Sequence, residues 1–191
     1  MNNGMTGIAV AVTAVIGWAM PVNAQVTPDG TTTQVLQEGD RVLIRGGQQS
    51  RDGANLFHSF DEFGLDAGQR ATFRTQATVQ NILGRVVGGD VSVVDGLLRV
   101  SGSSANLWLI NPAGVIFGPN ARLDVGGSFT ATTATSLEFG DRWWTSTGLD
   151  YANLVGTPTA LAFTGEAATL INAGRLAVPA GESLMLAGGV V

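Results

Sequence analysis

Residues 105–125, ANLWLINPAGVIFGPNARLDV, set short strand-forming runs on either side of Asn111-Pro112-Ala113-Gly114 and then of Gly118-Pro119-Asn120. Nothing else in the chain restricts its fold as tightly. Proline fixes φ near −65° and has no N–H to give to a sheet ladder, so Pro112 belongs at a corner and not inside a strand. Asn111 can bond backbone groups through its amide, and Gly114 can take a positive φ without a Cβ penalty. From Gly88 onward the punctuation recurs: apolar runs centred near Val93, Leu98, Leu109, Ile116, Val125 and Phe129 are each bounded by Gly, Asn, Asp, Ser or Pro. No segment beyond residue 24 sustains the i, i+3, i+4 spacing of a helix. With 27 glycines and only 13% charged residues, the chain is turn-rich and nearly all β.

A larger unit also recurs. LRV at 98–100 is followed by a Gly-Ser turn and LWLI at 107–110; RLDV at 122–125 by Gly126-Gly127 and SFTA; RLAV at 175–178 by Pro-Ala-Gly and SLML. The last two units align at an offset of 53, or 55 after the longer turn. Repeats on this scale point to a solenoid. A β-sandwich is the competing architecture, but its consecutive strands usually pair through two-residue Asn-Gly or Asp-Gly hairpins. NPAG, GPNA and GG instead suit corners that turn the chain by less than half a revolution. We therefore expect a parallel β-helix, with Val93, Leu107, Leu109, Val115, Phe117, Leu123, Val125 and Phe129 pointing inward. Toward the N-terminus VTPDGTTTQVLQEGDRVLIRGG alternates as half-buried strands do. Residues 55–83 are less regular, read as capping strands with a short helical turn near Phe60 to Leu65.

The formal net charge is −5, with ten arginines and no lysine, and no stretch gathers them into a basic stripe. On that ground nucleic acid is excluded as a partner. The absence of cysteine removes disulfides and thiolate metal sites, and no cofactor or metal is expected. Residues 1–24 carry an apolar stretch from Ile8 to Met20, too short for a span of about 20 residues, followed by Pro21 and a cleavage-like Val22-Asn23-Ala24. They read as a signal peptide, although no Lys or Arg precedes Ile8. No later stretch is long and apolar enough to cross a bilayer as a helix, so the mature chain is not expected to span a membrane.

Asn111-Pro112-Ala113-Gly114-Val115-Ile116-Phe117-Gly118-Pro119-Asn120-Ala121, continuing through Gly126-Gly127-Ser128-Phe129, resembles the N-terminal secretion domain of two-partner secretion exoproteins, the filamentous-haemagglutinin family. Asn55-Leu56-Phe57-His58-Ser59-Phe60 resembles a stretch near the start of that domain, particularly in its cyanobacterial members. The similarity covers roughly residues 26 to 191. The family usually has NPNGI where this chain has NPAGV, so Ala113 brings no amide to the corner. A second family motif, containing Asn-Pro and ending in Ile-Asp-Gly, corresponds to the segment Asp90, Val91, Ser92, Val93, Val94, Asp95, Gly96, in which the Asn-Pro pair is missing.

The resemblance implies a right-handed parallel β-helix with N-terminal capping strands and extra-helical hairpins. It implies export through the outer membrane by a dedicated β-barrel transporter whose POTRA domains recognise this domain, and folding nucleated at the cell surface. The recognition residues would be Asn111, Pro112, Ala113, Gly114, Val115, Gly118, Pro119 and Asn120. The expected organisation is a signal peptide at 1–24, a cap and first coils at 25–87, and β-helical coils at 88–191. The destination is the cell surface or the medium.

An enzyme and an adhesin are the alternatives. Catalysis on a β-helix needs convergent carboxylates or a base on a groove. His58 neighbours Ser59, Asp61 and Glu62, but successive strand residues alternate faces and make no triad. Asp124 is expected to face outward alone, and Asp90 and Asp95 lie near turns; no catalytic residue is assigned. For adhesion, Trp143 and Trp144 offer an aromatic contact to a host or surface glycan or protein, against a reading in which one of them packs inside. The C-terminal LMLAGGVV has no polar cap, so the chain is expected to be the front of a longer exoprotein or a truncated product.

Overall fold

The structure, a computed structural model, describes residues 25–145 and 150–189; the expected signal peptide lies outside the described residues. Along the chain come β1 (Val26–Pro28), β2 (Thr33–Glu38), β3 (Arg41–Gly46), β4 (Gln48–Gln49), β5 (Asn55–Phe63), β6 (Arg70–Arg74), β7 (Asn81–Val86), β8 (Ser92–Val94), β9 (Leu97–Ser101), β10 (Asn106–Ile110), β11 (Val115–Phe117), β12 (Arg122–Asp124) and β13 (Phe129–Thr132). An excursion then forms β14 (Ser136–Phe139), β15 (Arg142–Thr145), a single 3-10 turn at Tyr151–Asn153 and β16 (Ala160–Ala162). The chain rejoins the main body with β17 (Leu170–Asn172) and β18 (Leu184–Ala187).

Three sheets carry the coils. Sheet I runs β1-β5-β7-β10-β13-β18, with β4 beside β5; sheet II runs β2-β3-β6-β9-β12; sheet III runs β8-β11-β17. From β7 on the chain visits I, III and II in turn, and each strand lies parallel to its counterpart one coil away. This is a parallel β-solenoid. Among the described residues, only the strands at the N-terminal end, β1, β2 and β4, pair antiparallel with coil strands. The sequence repeat is a true stacking register: Arg122 bridges Arg175, and Phe129 lies opposite Leu184.

Alternate residues of each strand fill the interior. Leu56, Phe60, Ile82, Val86, Leu98, Leu107, Leu109, Val115, Phe117 and Phe129 belong to one buried cluster, against which Leu123 packs. Two expectations fail. Val93 points outward, 46% exposed, because Ser92 and Val94 take the inward places of its three-residue strand. The helical turn near Phe60 to Leu65 is β-strand. Pro28 lies opposite Phe60 and Thr27 opposite Glu62, so Asp61 is an extra residue, and this β-bulge returns Phe60 and Phe63 to one face at a helix-like spacing.

The excursion is a small antiparallel sheet, β15-β14-β16, lying outside the coil as the expected extra-helical hairpin. The outward side chains of sheet I, Phe57, Leu83, Trp108 and Ile110, form a second buried cluster with Leu137, Phe139, Trp144, Tyr151 and Leu154. Sheet I is therefore covered on both faces. Among the described residues no helix is long and apolar enough to cross a membrane.

Candidate functional site

The corner at Asn111 ties three coils together. Its Nδ2 donates down the stack to Asp90 O (2.8 Å) and Ser92 Oγ (2.9 Å), its Oδ1 accepts from Ala113 N (2.9 Å), and its own N–H donates up the stack to Thr132 O (3.0 Å). Asn111 is 1% exposed, so each of these groups would otherwise be a buried orphan. Gly114 sits at φ 128°, where a Cβ would meet Thr169 O at 3.2 Å. At the next corner a Cβ on Gly118 would fall 2.2 Å from Asp95 Oδ1. That carboxylate accepts from Asn120 N (2.8 Å) and Nδ2 (2.9 Å).

The fold thus brings the two motifs together. Asp90 and Asp95 of the degenerate motif are direct partners of Asn111 and Asn120 one coil on, Val91 flanks Gly114, and the Gly96 carbonyl accepts from Arg122 N. Val115 is an inward core residue, and Pro112 and Ala113 are half-buried at the corner, while Pro119 is exposed. Ser92 explains the Val93 error: a polar side chain faces inward here because the Asn111 amide is waiting for it.

The stretch Asn55 to Phe60 is wholly buried within β5. Leu56, His58 and Phe60 face the core, whereas Phe57 and Ser59 face the lobe formed by the excursion between β13 and β17. Asn55 starts a ladder that sequence reasoning missed. Asn81 Nδ2 donates to Asn55 Oδ1 (2.9 Å), Asn106 Nδ2 to Asn81 Oδ1 (3.0 Å), Ser128 N to Asn106 Oδ1 (2.9 Å), and Ser183 N to Ser128 Oγ (3.0 Å). Each coil contributes one rung at the start of its sheet I strand. The ladder also holds the lobe, since Asn55 Nδ2 donates to Leu154 O (2.8 Å) and Gly156 O (2.7 Å). The signal was present as NLF, NIL, NLW, SFT and SLM at the coil spacing.

One buried ionisable group lies within this stretch and another on the strand beside it. His58 is 0% exposed, with Nδ1 3.4 Å from Thr33 Oγ1 and Nε2 unpartnered; burial lowers its pKa to about 4. No substrate could reach this imidazole. Arg85 donates to Thr145 O (2.5 Å), Tyr151 Oη (3.2 Å) and Ser59 Oγ (3.4 Å), and its guanidinium lies 5.0 Å from the Trp144 ring centre. Burial works to raise the Asp29 carboxyl, but hydrogen bonds from Ser59 and Thr31 and the field of Arg85 hold it below its usual range. Of the tryptophan pair, Trp144 is 2% exposed in the lobe and Trp143 46%. Asp124 does face outward, yet it is not alone, because Arg99 Nε lies 3.3 Å from its Oδ2. Among the described residues no three His, Cys, Asp or Glu gather as metal ligands.

The sequence profile of the TPS secretion domain matches residues 24–191. The chain belongs to this family. No curated protein sequence matches it. Solved structures do. The HMW1 secretion domain from Haemophilus influenzae superposes with a TM-score of 0.57 at 23% identity, covering 86% of this chain and 38% of that one. The filamentous hemagglutinin secretion domain gives 0.52 at 22% identity, covering 62% and 45%. This TPS secretion domain shares their fold and spans less than half the length of either.

Proposed function

We propose that this TPS secretion domain is the export signal of an exoprotein that passes through the periplasm and the outer membrane to the cell surface or medium. In this reading the POTRA domains of a β-barrel transporter recognise its motif residues in the unfolded chain, and the same residues then nucleate the β-helix outside. One observation carries the reading: the folded domain hides most of them, leaving Pro119 and Asn120 exposed. Asn111, Phe57, His58 and Phe60 are each no more than 2% exposed, and the Asn111 amide is committed to the neighbouring coil. An extended chain presents all of them, and can add to an exposed sheet edge through its main chain. With no cysteine, no disulfide can lock the chain in an oxidising compartment before threading. The domain is read as non-enzymatic.

Secretion of wild type, Asn111→Ala and Pro112→Ala with and without a candidate transporter tests this. Both variants are expected to reach the medium less than wild type, and only when the transporter is present. Equal export without any transporter would overturn the reading, as would a stably folded periplasmic form that is still exported. Adhesion through the exposed Trp143 is the second reading. A Trp143→Ala variant that is secreted normally but binds cells less would support it.

A further inference from the structure

Seven of the ten arginines lie on one face. Arg41 and Arg45 of β3, Arg70 and Arg74 of β6, Arg99 of β9, Arg122 of β12 and Arg175 one coil later are all exposed on the outside of sheet II. They are scattered over more than a hundred residues of sequence, and stacking gathers them. Register places Arg41 beside Arg70, both Arg70 and Arg122 beside Leu97, and Arg122 beside Arg175. The premise that this chain has no basic stripe is therefore wrong, because the stripe runs across strands and not along them. With strands about 4.8 Å apart, it extends about 19 Å.

Few carboxylates offset it. Arg99 is taken by Asp124, and Glu38 lies opposite Arg41; the turns leading into the strands carry Asp40, Asp66 and Asp95, the last bonded to Asn120. The guanidinium groups of Arg41, Arg70, Arg74, Arg122 and Arg175 have no hydrogen-bond or ion-pair partner among the described residues. Beside the stripe, Arg45 and Arg74 open onto a groove of about 500 Å³ lined also by Gln49, Thr75 and Gln76.

We propose that this face binds a linear acidic polysaccharide laid along the stack, its carboxylate or sulfate groups engaging Arg41, Arg70, Arg122 and Arg175. Guanidinium forks match both anions in bidentate geometry. The exposed positions of β3, β6, β9 and β12 hold no aromatic ring on which a base could stack, which argues against single-stranded nucleic acid.

The test is retention of the secreted, folded chain by polyuronate and by sulfated dextran, alongside neutral dextran, duplex DNA and anionic phospholipid vesicles. Binding to one or both acidic glycans, weakening as salt rises, is expected, and which of the two binds identifies the anion. Arg41→Gln/Arg70→Gln and Arg122→Gln/Arg175→Gln should each weaken it about tenfold. Arg41→Lys/Arg70→Lys should fall between, and Arg142→Gln, in the lobe, should bind as wild type. Circular dichroism confirms that each variant is folded. Equal retention by neutral dextran, tighter binding to DNA or vesicles, no retention at all, or losses no greater than that of Arg142→Gln would overturn the proposal.

Discussion

Sheets I and II belong to the same coils and share one interior, yet their outer faces have opposite fates. Outside sheet I the chain places Phe57, Leu83, Trp108 and Ile110, and the excursion between β13 and β17 folds down to cover them. Outside sheet II it places arginines, and nothing described covers them. The inward residues are mostly aliphatics and phenylalanines in both, His58 of sheet I excepted, so the interior decides that a coil forms. The outward residues decide what each face will meet.

The sharpest way to break this comparison is Trp144→Ala. Trp144 packs edge-on to Phe57 at 5.0 Å and lies beside the Arg85 guanidinium. Its loss should cost about 3–5 kcal/mol in urea unfolding, with the lobe loosening first. A cost below about 1 kcal/mol would mean that the lobe is not what buries sheet I.

Acid probes the inner side of the same sheet. His58 titrates near 4 folded and 6.5 unfolded, so between those values the unfolded chain binds more protons. Stability should be flat above pH 6.5 and fall by about 3 kcal/mol as pH drops to 4. His58→Asn should remove most of that slope; a slope unchanged by the substitution would contradict a buried neutral imidazole.

Next in size is the ladder that fastens the lobe to the coils. Asn81→Ala strands the Asn55 carbonyl and the Asn106 amide, and should cost about 2 kcal/mol. Asn120→Ala removes an exposed bond to Asp95 and should cost less than about 1 kcal/mol. Smallest of all, Arg122→Gln on the bare face should change stability by no more than about 0.5 kcal/mol in either direction. A loss as large as that of Asn81→Ala would show that the arginines serve the fold.

How much of this could be read beforehand follows from how local each signal is. The Asn111 and Gly118 corners were plain because proline and glycine act on their own residues. The 53- and 55-residue offsets were plain because coils stack in register. Val93 was misplaced because Ser-Val-Val is too short to show its alternation, and its inward polar residue is explained only by Asn111, nineteen positions away. Phe60 and Phe63 imitated a helix because a bulge is invisible without its partner strand. The arginine stripe has no local signature at all, since its members are neighbours only across coils.

Ser128 and Asn106 stand 22 residues apart on adjacent rungs, and Ser128 and Ser183 stand 55 apart on the next pair, yet both pairs keep the same bond. The thirty-odd residues of difference are absorbed at a single bend, and the layers on either side do not register the detour. Architecture of this kind tolerates cargo at its vertices: a new hairpin, or an epitope placed between β13 and β17, would lengthen one storey of the tower without shifting the floors above it.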